Sequence, residues 1–154
     1  MKLVGKKRLS GVMEIAMWPL MALNIAVLAG LPWVVEHMLK YNSNAEFWRP
    51  RYLIVLAVSG VVAFVMLWQL RCLLHNVNSG TVFSKSTVWL MRCLGWELHA
   101  LATFYFCMMV LANVTKFSVG LLILTFVLAG LFLLIFAELF KQAVAYKQEN
   151  DMTI

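Results

Sequence analysis

The chain has 154 residues, of which 63% are hydrophobic and only 13% charged, with a formal net charge of +6 and a mean hydropathy of +0.84. Soluble domains carry roughly a quarter of their residues as charges, and a soluble fold of this length could not hide so much apolar surface, whereas a bilayer is itself an apolar solvent. The length allows one domain, and the basic balance is accounted for by residues flanking apolar spans, so no direct nucleic-acid contact is expected.

Four apolar segments are read as transmembrane helices of a single domain covering 1–154, at about 12–35, 52–74, 88–114 and 117–140. Each exceeds or approaches the roughly 20 residues needed to cross a hydrocarbon core. The apolar residues run continuously, without the two-residue alternation of barrel strands. The fold class is therefore all-α, a polytopic membrane four-helix bundle.

The first segment carries Glu14 near its start, Asn24 deeper in, and Pro19 and Pro32, prolines that a membrane helix can accommodate with a kink. A basic start before an apolar run also describes a signal peptide, with Val27-Leu28-Ala29 as a cleavage site. The run is long for that role, and a retained first helix is expected. Residues 36–51 read as the longest outer loop. The second segment is uncharged from Tyr52 to Leu70, with Tyr52 and Trp68 as interface anchors, Gln69 marking its far end and Arg71 following.

The third segment holds Arg92, Glu97 and His99 in its first half. Arg92, Trp96, His99 and Thr103 fall on one helical face within about 60°, and Glu97 points well away. Ionisable groups at depth seek partners inside the protein, and Glu14, Arg71 and Glu138 are the candidates. The bland reading is an interfacial charge ring that sets helix depth, and the sharper one is a substrate or proton path. The fourth segment is uncharged from Phe117 to Ala137 and closes with Glu138 and Lys141. Small residues let membrane helices approach: Ala22, Ala26 and Gly30 form one expected packing stripe, Ser59, Gly60 and Ala63 a second, Gly130 and Ala137 a third.

With four spans, the N-terminal arm, the second connection and the tail share a side that collects nine of the thirteen basic residues. The positive-inside rule then places both termini in the cytoplasm.

Constellations that carry chemistry are sparse. The three cysteines, Cys72, Cys93 and Cys107, sit in or beside apolar spans and include no CxxC pair. Met13, Met17 and Met21 form a helical stripe, which is more often packing than a Cu(I) site. Cys72 and His75 could share a face, but two ligands do not make a metal site. No nucleophile elbow, HExxH, P-loop or GxGxxG is present. No enzyme activity, cofactor or metal is expected.

Two segments are more distinctive. One runs from Leu70-Arg71-Cys72 through Val77-Asn78-Ser79-Gly80-Thr81-Val82-Phe83-Ser84 to Leu90-Met91-Arg92-Cys93-Leu94-Gly95; the other comprises Glu138-Leu139-Phe140-Lys141-Gln142-Ala143-Val144 and Gln148-Glu149-Asn150-Asp151-Met152-Thr153-Ile154. Gly80 suits a turn with positive φ, Ser84 or Ser86 can cap the third helix, and Phe83 can dip back toward the interface. The tail continues the fourth helix beyond the span, and its acidic end could lie near Arg71, Lys85 or Arg92, or fray in solvent.

Together these segments resemble the domain-of-unknown-function 2975 family of small bacterial membrane proteins, over about the full chain. The family pattern has four spans, a Gly-x-x-Phe-Ser/Thr turn before an Arg-x-x-Gly helix start, and a tail of Glu-Asn-Asp-Leu-Thr-Val type. Here Met152 and Ile154 replace the usual leucine and valine. The resemblance implies a multi-pass protein of the bacterial cytoplasmic membrane. Because members are often encoded beside a small helix-turn-helix regulator, it also implies a regulatory or accessory role with a cytoplasmic transcriptional regulator as partner. The alternative is a small transporter or channel subunit, working as a homo-oligomer through Arg92, His99 and Thr103. The residues singled out for either role or for packing are Arg71, Gly80, Phe83, Arg92, Gly95, Glu97, His99, Glu138, Glu149, Asn150 and Asp151.

Overall fold

A computed structural model describes residues 3–41, 43–111 and 117–151, with side chains described for 10–41, 43–111 and 117–150. It contains four helices, α1 (Leu3–Leu39), α2 (Ala45–Asn78), α3 (Lys85–Leu111) and α4 (Phe117–Asp151), all long and apolar enough to cross a membrane. The protein is an all-α, multi-pass membrane four-helix bundle.

The helices have 37, 34, 27 and 35 residues. At 1.5 Å per residue they are about 40 to 55 Å long, well beyond a hydrocarbon core of about 30 Å. Much of what the sequence suggests as loop is therefore helix. The expected outer loop at 36–51 shrinks to residues 40–44. The reason is local packing: Leu31, Val35 and Leu39 of α1 form a buried cluster that continues against Ala45, Trp48, Leu53, Leu56 and Ala57 of α2. That contact holds both helix ends in register past Pro50, which lies inside α2. Helix α1 likewise runs through Pro19 and Pro32. Helix α3 begins at Lys85, one turn earlier than expected, and the expected end of the third span at residue 114 lies outside the described residues.

The helices pack in chain order. Helix α1 lies on α2, α2 on α3 and α3 on α4, and among the described residues no other pair of helices meets. Helix α3 is consequently the most enclosed, burying Val88, Leu90, Leu94, Gly95, Leu98, Leu101 and Ala102. Helices α1 and α4 each have one neighbour, and their remaining faces carry exposed apolar side chains such as Ile15, Leu23, Trp33, Leu124, Phe132 and Ile135, as contact with lipid requires.

Two of the three expected small-residue stripes pack. Gly60 faces α1, where a Cβ would stand 2.5 Å from the Leu28 Cδ2 atom. Its neighbour Ser59 turns to α3 and shares a hydrogen bond of 2.8 Å with the Tyr105 hydroxyl. Gly130 and Ala137 face α3, with Ala137 fully buried. The stripe on α1 does not pack. Ala22 and Ala26 are exposed, and a Cβ at Gly30 would meet nothing. Met21, Leu31 and Val35 take the buried face instead.

Candidate functional site

The polar side chains gather at two levels: the end of the bundle where α1 begins and α4 finishes, and a deeper set within the spans. At that end, Gly80 adopts φ +75°, a left-handed conformation that only glycine enters without steric cost. It closes α2, as the Thr81 amide donates back to the Asn76 carbonyl at 2.9 Å. The chain then enters α3 through Ser84, whose hydroxyl accepts from the Thr87 amide at 3.3 Å, an N-cap in the usual sense. Ser84, rather than Ser86, is thus the cap. The buried Thr87 hydroxyl also accepts from the Asn76 side-chain amide at 3.2 Å, locking the α2–α3 connection to the α2 terminus.

On the α1 side of this end, Glu14 accepts from Asn78 at 2.5 Å and lies 3.2 Å from His75 Nδ1. Ser10 donates to the Asn78 side-chain oxygen. His75 is thereby turned toward Glu14. Arg71 lies over the Trp18 ring at 4.5 Å and near that of Trp68 at 5.5 Å, an arrangement in which the guanidinium meets the negative face of an aromatic ring. Of the three partners expected for the α3 polar groups, Glu14 and Arg71 serve the α1–α2 pair, and Glu138 serves α3.

On the α4 side, Arg92 donates to Glu138 at 2.7 Å, and Lys141 pairs with the other Glu138 oxygen at 2.9 Å. Phe83 stacks on Phe140, with ring centroids 5.8 Å apart and 23° between planes. Val144 is buried. The portion of α4 beyond its uncharged run is therefore seated on the start of α3 and on the preceding connection. Between the two helices lies an open groove of about 390 Å³, lined by Lys85, Val88, Trp89 and Arg92 from α3 and by Lys141, Val144, Ala145 and Gln148 from α4. Glu149 and Asn150 occupy the exposed last turn of α4. The side chain of Asp151 and residues 152–154, which complete the expected acidic tail motif, lie outside the described residues.

Deeper in the spans, α3 sends polar groups in two directions. Glu97 faces α2 and accepts a hydrogen bond from the buried Gln69 amide. The other oxygens of both groups, Glu97 Oε2 and Gln69 Oε1, are buried without a hydrogen-bond partner. Gln69, at the far end of the uncharged run, is thus also an inter-helix contact. His99 faces α4. Its Nδ1 lies 2.8 Å from the Gly95 carbonyl oxygen, and its ring covers Gly130, where a Cβ would stand 2.5 Å from His99 Cε1 and 3.0 Å from the Gly95 carbonyl oxygen. A Cβ at Gly95 would in turn stand 2.8 Å from Leu134 Cγ. The two glycines allow the α3 and α4 backbones to approach, and His99 fills the space beside them. Thr103 returns its hydroxyl to the His99 carbonyl at 2.9 Å, while Trp96 is exposed.

Sequence reasoning missed Gln69, Asn76, Asn78 and Tyr105 as inter-helix partners. Their amide or hydroxyl character within apolar runs is the signal that could have found them. Of the methionine stripe, Met21 is buried and Met13 exposed, as packing at a helix edge produces.

A family model described as "Protein of unknown function (DUF2975)" matches residues 16–154. No curated protein and no solved structure matches the chain.

Proposed function

This chain belongs to the DUF2975 family, and on that premise we propose that it is a regulatory or accessory protein of a bacterial cytoplasmic membrane, non-enzymatic, with both termini in the cytoplasm. Its working surface would be the end of the bundle built from the α2–α3 connection and the α4 overhang. Its partner would be a soluble cytoplasmic protein, a small helix-turn-helix transcriptional regulator being the kind that the family resemblance suggests.

One observation carries this reading. The Phe83–Phe140 stack, together with the buried Val144, joins the connection and the overhang into one surface. A surface fixed in advance spares a partner the ordering cost of a loose tail. The concentration of basic residues at this end supports the cytoplasmic assignment.

The transport alternative would need Arg92, His99 and Thr103 to line a path. Arg92 is engaged by Glu138, His99 by the Gly95–Gly130 crossing, and Thr103 by the His99 carbonyl. Those side chains are occupied in helix contacts, which favours the regulatory reading.

The test is affinity isolation from native membranes with a tagged full-length chain, a chain ending at Tyr146, and Phe83→Ala. A small DNA-binding protein recovered with the full chain and lost with either variant is the expected result. Equal recovery with all three chains, or none with any, would overturn the proposal. Flux into liposomes that His99→Ala abolishes would restore the transport reading. A C-terminal fluorescent-protein fusion that fails to fluoresce would refute the cytoplasmic placement of the tail.

A further inference from the structure

We propose that the groove between α3 and α4 binds the phosphate-bearing headgroup of an anionic phospholipid. The inference goes beyond the regulatory reading and stands without it.

The shape comes first. Lys85, Val88, Trp89 and Arg92 are spaced along one face of α3, and Lys141, Val144, Ala145 and Gln148 along one face of α4. Each set follows the three- and four-residue spacing of a single helical stripe, so two facing stripes form a trough. Its floor is apolar, since Val88 and Val144 are 7% and 6% exposed. Its rims are cationic.

The charge is unbalanced. Lys85, Arg92 and Lys141 line the groove, and Glu138 bridges Arg92 and Lys141. One carboxylate against three cations leaves two positive charges in excess. Lys85 makes no ion pair among the described residues. The larger depression at the opposite end of the bundle, about 560 Å³, is lined by Glu36 and Glu46 as well as Lys40 and Arg49. It shows that a mixed lining is the alternative, and that the cationic groove is a local choice.

The position selects lipid over a free anion. Helix α4 is uncharged to Ala137 and charged from Glu138. Lys141 lies four residues past Ala137, about 6 Å along the axis, which is the depth of the headgroup layer flanking a 30 Å core. Trp89, at the rim, is 63% exposed, as an indole at the membrane interface is. Because α4 packs only on α3 among the described residues, the trough opens sideways into the bilayer. A phosphodiester can sit among the cations while its glycerol rests on the valine floor. A free phosphate would leave that floor uncovered.

The measurement is native mass spectrometry of the detergent-solubilised chain, titrated separately with phosphatidylglycerol, phosphatidylcholine and inorganic phosphate. Wild type is expected to retain phosphatidylglycerol in preference to phosphatidylcholine, and millimolar phosphate is expected not to displace it. Lys85→Gln with Lys141→Gln should weaken phosphatidylglycerol about thirtyfold, the loss expected for two cations near an anionic headgroup, and leave phosphatidylcholine unchanged. Lys85→Arg with Lys141→Arg should bind as wild type. Lys85→Gln alone disturbs no ion pair among the described residues and should lose about fivefold, which keeps the test decisive if the double variant unfolds. Equal retention of both lipids by wild type, or wild-type affinity in the Lys85→Gln chain, would overturn the proposal. Displacement by millimolar phosphate would reassign the groove to a free anion and overturn it as a lipid site.

Discussion

Replacing Gly130 with alanine puts a methyl group where the His99 imidazole already lies. The new Cβ would stand 2.5 Å from His99 Cε1 and 3.0 Å from the Gly95 carbonyl oxygen. Carbon atoms in contact prefer about 3.5–4.0 Å, so either the imidazole leaves its position beside the Gly95 carbonyl or α3 and α4 separate. Inserting a methyl into a packed site of this kind costs about 1–3 kcal/mol. Alanine also has a better helix propensity than glycine by about 0.8–1.0 kcal/mol, which would mask part of the clash. Gly30→Ala supplies the reference. It lies well inside α1, and its Cβ meets nothing, so it receives the propensity term without the clash. The difference between the two variants isolates the packing term. Reversible unfolding by dodecyl sulfate in mixed micelles, followed by far-UV circular dichroism, measures both.

The expected result is that Gly130→Ala is less stable than Gly30→Ala by about 1–3 kcal/mol. His99→Ala removes the main obstacle, so adding Gly130→Ala to it should do less damage than adding it to wild type. A double-mutant cycle would then show a coupling of about 0.5–3 kcal/mol, as for residues in contact. If Gly130→Ala and Gly30→Ala were equally stable, or if the two α3–α4 substitutions were simply additive, the crossing would not depend on the glycine–histidine contact and the reasoning would fail.

Three further outcomes are expected. Gln69→Leu leaves both Glu97 oxygens without a hydrogen-bond donor and should destabilise the bundle by about 1–3 kcal/mol, whereas Gln69→Leu with Glu97→Leu removes both partners and should recover most of that in the same unfolding assay; a double variant worse than the single would contradict the pairing. Gly80→Ala forces a side chain into φ +75° and should cost about 1–2 kcal/mol, with Gly80→Asn milder; equal stability of all three chains would mean that the turn relaxes. Val144→Asp places a carboxylate in the α3–α4 contact, and amide exchange along residues 140–150 should rise about thirtyfold as the overhang lifts, the change produced by a local loss of about 2 kcal/mol; unchanged protection there would show that the overhang is not held by Val144.

The helices themselves were legible because four long, predominantly apolar runs leave few other folds. Parts of the end layer were legible too, wherever a residue has a conformational or capping role that its type announces. Gly80 is at positive φ and Ser84 caps α3. The pairing of Arg92 with Glu138 could be anticipated from two opposite charges at the same end of neighbouring spans. What could not be read was which face of each helix meets another helix. In a soluble protein the apolar stripe marks the buried face. Within a bilayer both lipid and protein are apolar, so Leu, Val and Phe say nothing about direction. The stripe of Ala22, Ala26 and Gly30 failed for that reason. Small residues permit close approach but do not require it, and Met21, Leu31 and Val35 took the face instead. The helix ends were missed for a related reason. Arg49 and Arg51 interrupt the apolar run but not the helix: both lie inside α2, which continues as long as packing such as Trp48 on the α1 cluster supports it.

The arrangement of polar groups on α3 bears on where function resides. Arg92 and His99 lie on one face and Glu97 roughly 160° from His99 at helical spacing, and each points to the neighbour on its own side: Arg92 and His99 to α4, Glu97 to α2. A transport path would need such groups to converge on one passage. Here they diverge, because α3 stands between two helices that do not touch each other among the described residues and must be fastened to both. Lipid gives no hydrophobic gain for helix association, so the fastening falls to hydrogen bonds, ion pairs and small-residue contacts. The ionisable residues within the spans are thereby accounted for as inter-helix contacts. Lys85 and Gln148 line the groove at the end of the bundle, on the surface where a lipid headgroup or a soluble partner would arrive.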